Sequence, residues 1–453
     1  MPIKSHSFCV GRVRSYLRGR IWYLCYHENG RRRRPRVGSD ATAARKLAAQ
    51  INAQLETGAR TALSFEPITV EELRQRWLEH HEHVLRSSVH TVRRYHAATD
   101  HLLRFAQENK SPRLASGFAA RDAEQFVRYL RRIEVAPNGH KNSRKRHLLD
   151  KGIQYILESC RAMFTYAAKR RHLSPYAENP LTAIEIDRIP IENAKPILLL
   201  TPDQERQFLE TCDAWQLPLF ATLLLTGLRP GELAHLLLPE DLDLAGGWIR
   251  VRNKLKLGWQ VKTRSERDVP VLPELMQVLS VHLGQRRSGP VFLRREACSN
   301  GLEGRAEMEA ELAQRIAERE RRLGRALDRA EREDVAKSLW WAMGAVREDR
   351  IRMEFIRVVR RIGLPLLTMP KVLRHQFATA LQDANMDPLI RNQLMGHMPT
   401  GFSRPGGGLG MTAVYTHSRP ETVRRQLELA LQNRPALEAV REWLRKRAPT
   451  DAA

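Results

Sequence analysis

Cysteine is scarce in this chain and never paired. Cys9, Cys25, Cys160, Cys212 and Cys298 are scattered over 453 residues, odd in number and nowhere spaced as Cys-x-x-Cys. That argues against a disulfide framework or a zinc site and leaves reduced thiols used in packing. Long apolar runs are missing too. The longest, Leu217 to Thr226 and its flanks, is too short to cross a bilayer. With no apolar signal core at the N-terminus, the expectation is a cytoplasmic protein. Acidic residues are in deficit, with 51 Asp+Glu against 76 Lys+Arg and a formal net charge of +25. A chain this basic calls for a polyanionic partner, and double-stranded DNA leads. The length suggests two or three domains, and 42% hydrophobic residues suffice for their cores.

Excess charge gathers at the start. Residues 1–62 hold 13 Lys+Arg against three acids. Val10–Leu17, Ile21–His27 and Arg31–Val37 read as three short strands, with Glu28-Asn29-Gly30 as the tight turn between the last two. A helix follows from about Ala41 to Leu55, with Asp40 as its N-cap. Trp22, Leu24 and Tyr26 alternate onto one face. Arg31, Arg32, Arg33, Arg34 and Arg36 lie on the third strand, where so many cations favour DNA contact over a merely solvated face.

From 67 to 188 the periodicity is helical. Val70, Leu73 and Trp77 open one helix, and Thr91–Phe105 forms another, with Tyr95, Leu102 and Leu103 inward. Ala123–Leu130 and Ile153–Ala168 follow. A basic segment between the last two carries Lys141, Arg144, Lys145 and Arg146, further candidates for DNA contact. Residues 185–196, with Pro190 and Pro196, read as a linker.

The chemistry lies in the second half. Thr226-Gly227-Leu228-Arg229-Pro230-Gly231-Glu232 is followed far downstream by Leu373-Arg374-His375, Gly396-His397 and Tyr415-Thr416-His417. Gly227 is suited to end an apolar helix and Pro230 to begin the next, which sets Arg229 in the corner between two rigid elements. Glu232 reads as orienting Arg229 or nearby backbone. A phosphodiester under attack accumulates charge on its non-bridging oxygens, and without a metal ion fixed cations must hold that charge. Arginine forks do this well. Trp248–Asn253, Gln260–Thr263 and Arg267–Val271 read as a three-stranded sheet, with a turn at Lys256–Gly258.

In this order and with these flanks, the motifs resemble the tyrosine recombinases, the phage-integrase family of DNA-breaking and joining enzymes. The resemblance is carried by residues 196 to 431, and upstream by layout alone. It implies a mixed α+β, mainly α fold: an arm-type sheet-and-helix domain over 1–62, a helical core-binding domain over 67–188, and a mostly helical catalytic domain over 196–435. A tail over 436–453 completes it. It implies Tyr415 as nucleophile, with Arg229, Arg374 and His397 on the phosphate. Lys262 matches the hairpin lysine that protonates the leaving oxygen, with Lys254 and Lys256 as rivals. The implied partners are double-stranded DNA, a homotetramer on that DNA and accessory DNA-bending proteins; no metal or cofactor is implied. The neighbouring readings are a type IB topoisomerase and a DNA-binding relative without catalysis.

Three features depart from the family. Lys371, three residues before Arg374, stands where a histidine is usual. His397 and Tyr415 lie 18 residues apart, about twice the usual gap, across the glycine-rich stretch 399–410. A charged insertion occupies about 298–345. Its Met308, Leu312, Ile316, Leu323 and Leu327 form an apolar stripe, and Glu303 to Lys337 holds ten acids and nine bases. That balance suits protein contact or a solvated helix laced with ion pairs better than DNA. The tail Leu437–Arg447 reads as a helix for docking on a neighbouring copy.

Overall fold

The computed structural model describes residues 7–109, 111–136, 142–175, 177–192, 196–297, 304–397 and 418–447. The chain forms two compact units, 1–195 and 196–453. The fold is mainly helical with small sheets, as the periodicities predict.

The first unit opens with β1 (Ser7–Val10), β2 (Val13–Arg18), β3 (Ile21–Glu28), β4 (Arg31–Arg33) and β5 (Arg36–Gly38), followed by α1 (Ala41–Glu56). Five strands replace the three expected. The first expected strand turns back at Gly11, whose φ is +51°, and the third breaks before Pro35, which cannot donate to a ladder. β3 is central, pairing with β2, β4 and β5. Its Leu24 and Tyr26 pack with Val13 on Ala48 and Ile51 of α1, and Asp40 caps that helix by accepting from Thr42 N at 2.8 Å. The helical block contains α2 (Val70–Glu79), α3 (Val89–Glu108), α4 (Ala120–Arg132), β6 (Glu134–Val135), β7 (Arg146–His147) and α5 (Asp150–Lys169). Leu73, Trp77, Leu102, Phe126, Leu130 and Phe164 build its core. The arm-type sheet and this block belong to one unit, because Glu66 N donates to Arg171 O at 2.8 Å and Arg171 Nη1 to Thr61 O at 3.3 Å.

The second unit begins with α6 (Pro202–Glu210), α7 (Gln216–Thr226), α8 (Pro230–Ala234) and β8 (Leu237–Leu238). β9 (Leu242–Asp243), β10 (Trp248–Val251) and β11 (Arg267–Pro270) form the three-stranded antiparallel sheet in the order β11-β10-β9. Gln260–Thr263 is therefore not a strand; the third strand is Leu242–Asp243, whose Leu242 is buried. Next come α9 (Pro273–Leu283), β12 (Gly289–Pro290), α10 (Arg305–Leu323), α11 (Arg329–Ala342), α12 (Glu348–Arg361), α13 (Lys371–Asp383), α14 (Pro388–Met395), α15 (Pro420–Leu431) and α16 (Pro435–Arg445).

Two expectations change here. The insertion is a helical hairpin whose apolar stripe packs inward: Met308, Leu312 and Leu327 join Val335, Leu339, Trp340, Leu237 and Leu257 in a core of their own. Only Leu323 of the stripe stays exposed, at 47%. The tail helix, expected to dock on a neighbour, docks on its own unit. Ala436, Leu437, Ala439 and Val440 are buried in the main core, and Arg434 ties their helix to buried Glu205 at 2.5 Å.

Candidate active site

The corner at Arg229 is built by two glycine-dependent or proline-dependent helix ends. α7 is buried along its whole length and closes at Gly227, with φ +64°. A Cβ there would also lie 2.3 Å from the Phe377 ring, so only glycine fits. Pro230 opens α8, and Glu232 Oε2 caps the turn by accepting from Arg229 N at 2.9 Å. Its Oε1 takes Arg229 Nη1 at 2.6 Å. Glu232 thus holds both the amide and the guanidinium of Arg229.

A further arginine, overlooked in the sequence, completes this arrangement. Arg267, the first residue of β11, presents Nη2 to Glu232 Oε2 at 2.6 Å and Nη1 to Oε1 at 3.1 Å, while its Nε donates to Leu394 O at 2.8 Å. Burial alone would raise the Glu232 carboxyl, but Arg267 and then Arg229 hold it down to about 2. A Cβ on Gly396, where φ is +60°, would sit 3.0 Å from Arg267 Nη1, so the Gly396–His397 step needs its glycine to let this arginine pass.

α13 delivers Lys371 and Arg374 to one face. Arg374 is 5% exposed. It donates to Gly227 O, to Met395 O and to His397 Nε2, the last at 3.3 Å. Burial, and then the charge of Arg229, pushes its guanidinium down to about 9, which still leaves it charged at neutral pH. Partial desolvation, with Arg374 and Arg229 beside it, also lowers His397 below the ordinary imidazole value and favours the neutral ring, although the residue as a whole is exposed. Its Nε2 faces an Arg374 N–H and so acts as acceptor.

These side chains meet around a single open cleft of about 750 Å³. Arg229, Glu232, Lys262, Lys371, Arg374 and His397 all line it, with Trp259, Gln260 and Arg352 on its rim. The rival lysines do not reach it. Lys254 is buried in an ion pair with Asp241 at 2.7 Å, and Lys256 reaches Glu309 at 3.4 Å. Tyr415 and the stretch 399–410 lie outside the described residues. Among the described residues no cluster of three or more His, Cys, Asp or Glu side chains could hold a metal ion. None of the described helices is long and apolar enough to cross a membrane.

The basic segments belong to the first unit. Arg31, Arg32, Arg34 and Arg36 are exposed on or beside β4 and β5, and Arg33 is half-buried, 3.7 Å from Glu28. Arg144, Lys145 and Arg146 are exposed before α5, whereas Lys141 lies outside the described residues.

No curated protein matches the chain. Several solved structures are similar to it. The Tn1549 transposon integrase in complex with circular intermediate DNA is 19% identical, with a TM-score of 0.49 over 80% of this chain and 99% of that one. A lambda integrase tetramer bound to a Holliday junction is 14% identical, with a TM-score of 0.46 over 86% and 98%. Residues 199–336, which contain Arg229, Glu232, Lys262 and Arg267, match the phage integrase family. That stretch of the chain is thus similar to the phage integrase family.

Proposed function

We propose that the protein is a site-specific DNA recombinase that cuts and rejoins DNA through a 3′-phosphotyrosyl intermediate. The observation that carries this reading is the convergence of Arg229, Lys262, Lys371, Arg374 and His397 on one cleft. Four cationic side chains and a neutral imidazole are a receptor for a phosphodiester whose charge rises during attack.

In this reading Arg229 and Arg374 grip the non-bridging oxygens. Tyr415 Oη attacks phosphorus, and its proton leaves to His397 or to water. The bond from phosphorus to the 5′ oxygen breaks, and that oxygen departs with the electron pair and takes a proton from Lys262. A 5′-hydroxyl from a partner strand then attacks the phosphotyrosine, restoring the tyrosine and the lysine proton. The ester keeps the bond energy, so no nucleotide cofactor is required. Four strands exchanged call for four sites, hence a tetramer on DNA. The exposed arginines of the first sheet and Arg144, Lys145 and Arg146 supply backbone contacts, which position without specifying sequence.

A suicide duplex nicked beside the cleavage point tests the reading. A trapped covalent adduct in excess EDTA, followed by strand transfer to a second duplex, is the expected result. Adduct without transfer indicates a topoisomerase. Tight binding without any adduct indicates a DNA-binding protein that does no chemistry.

A further inference from the structure

Lys262 sits on a piece of backbone that the sheet does not hold. Val261–Arg264 is a turn outside the β-ladder, pinned by Asn253, whose Oδ1 accepts from Val261 N at 3.0 Å and whose Nδ2 donates to Arg264 O at 3.2 Å, so its placement depends on Asn253 and on the flanks. On one side lies Arg267, fixed by Glu232. On the other lies the turn Lys254–Trp259, and that turn is held by the insertion. Leu257 is fully buried in the small core of the hairpin, whereas its neighbour Leu255 is 66% exposed. Trp340 Nε1 of α11 donates to Leu257 O at 3.0 Å. At Gly258, with φ +71°, a Cβ would lie 2.5 Å from Cβ of Ala336, so turn and helix touch with no room between them.

The contact continues into the cleft. The Trp259 ring stacks on His235 with centroids 4.8 Å apart and planes at 15°. Trp340 meets the same imidazole edge-on at 4.7 Å. His235 Nδ1 donates to Gly231 O at 2.7 Å, which joins this aromatic layer to the helix that begins at Arg229. Trp259 and Lys262 both line the cleft together with Arg374.

We infer that the inserted hairpin is a positioning element for proton delivery to the leaving oxygen, with Trp340 and Trp259 as the residues that transmit its hold to Lys262. The inference rests on the reading of Lys262 as proton donor. A donor on an unpaired turn reaches a departing oxygen only if the turn is immobilised, because proton transfer demands hydrogen-bond distance. An insertion that buries Leu257 and stacks Trp259 on His235 does this from outside the cleft.

The experiment compares two nicked duplexes, one with the natural 5′ oxygen at the scissile position and one with a bridging 5′ sulfur. A thiolate leaves without being protonated, so the sulfur duplex bypasses the donor. Trp340→Leu removes the N–H and the ring edge, and Trp340→Phe removes the N–H while keeping the apolar bulk. Single-turnover adduct formation by Trp340→Leu should slow about 10- to 100-fold on oxygen, up to the lower end of what general-acid catalysis contributes, and stay near the unsubstituted rate on sulfur. Trp340→Phe should show the same contrast more weakly, and it carries the test if the leucine variant does not fold. Equal slowing on both duplexes, or none on oxygen, overturns the inference. Lys262→Ala run in parallel separates the two levels. If that variant is slowed equally on both duplexes, the donor reading fails and takes this inference with it. If sulfur rescues Lys262→Ala and does not rescue the Trp340 variants, only this inference fails.

Discussion

Arg267 grips Glu232 through two nitrogens, Nη2 to Oε2 at 2.6 Å and Nη1 to Oε1 at 3.1 Å, with both side chains buried. The carboxylate in turn holds the amide and the guanidinium of Arg229. Arg229 is thus aimed from two residues away, and Arg267 never needs to touch DNA. Arg267→Ala strands a buried carboxylate, so it should cost ~3–5 kcal/mol of stability and slow cleavage as well. Denaturant unfolding and single-turnover cleavage measure the two effects. Unchanged cleavage in the folded variant would mean that Glu232 does not need Arg267 to place Arg229.

Why Arg267 escaped the sequence is physical. It lies among Arg264, Glu266 and Asp268, so the segment looks like a charged surface strand. One signal was available: residues 267 and 269 share a face in a period of two, and Val269 is fully buried. Helix starts were more legible, because a cap is local. Asp40, for example, accepts from Thr42 N at 2.8 Å at the start of α1, as expected of an N-cap. The insertion was legible only in part. A stripe of Met308, Leu312 and Leu327 says that a face is buried and not against what, and its partners Leu237 and Leu257 lie some 50 to 90 positions upstream. The tail helix failed for the same reason, since an apolar face docks in cis or in trans with one pattern.

Tyr415→Phe should keep DNA affinity and lose the covalent adduct entirely, because only the nucleophilic oxygen is removed. A phenol of pKa ≈ 10 is ionised in roughly one molecule per thousand at pH 7, so in the proposed reaction its proton must be removed as it attacks. Gel detection of the protein–DNA adduct decides the question. An adduct formed by the phenylalanine variant places the nucleophile elsewhere.

Acid should destabilise the second unit before its carboxylates titrate. Burial pushes His235 and His282 down to about 4 in the folded protein, against an unfolded value of ≈ 6.5. The unfolded chain therefore binds their protons first. Their contribution is intact above ≈ pH 6.5 and is lost as pH falls toward 4. Melting temperature followed from pH 7.5 to pH 4 should drop across that window, and replacing His282 by glutamine should flatten the curve. A level profile across the window contradicts the assignment of both rings as neutral in the folded protein.

Removing residues 1–62 should weaken DNA binding and flatten its salt dependence, because every cation that no longer neutralises a phosphate leaves close to one counterion in place on the DNA. Plots of log K against log salt for the full and shortened chains measure this. An identical slope would show that Arg31, Arg32, Arg34 and Arg36 face solvent in the complex.

Lys371 tests a position where the sequence departs from the tyrosine-recombinase pattern. It lies exposed at the start of α13 and lines the cleft with Arg374. A residue here can serve the phosphate as a hydrogen-bond donor, or it can accept the tyrosine proton. Lysine, with a reference pKa of ≈ 10.4, is protonated at neutral pH and suits only the first task. Proton acceptance then falls to His397, whose neutral ring partial desolvation and Arg374 favour, or to water. Lys371→His should accordingly retain most of the cleavage rate, since an imidazole N–H also donates. Lys371→Ala should lose roughly ten- to a thousandfold, the scale of one charged contact at ~1.5–4 kcal/mol. Adding His397→Ala to Lys371→His separates the two tasks. If the new histidine takes up the proton, the double variant keeps more activity than His397→Ala alone. Wild-type speed in Lys371→Ala would instead remove this side chain from the chemistry.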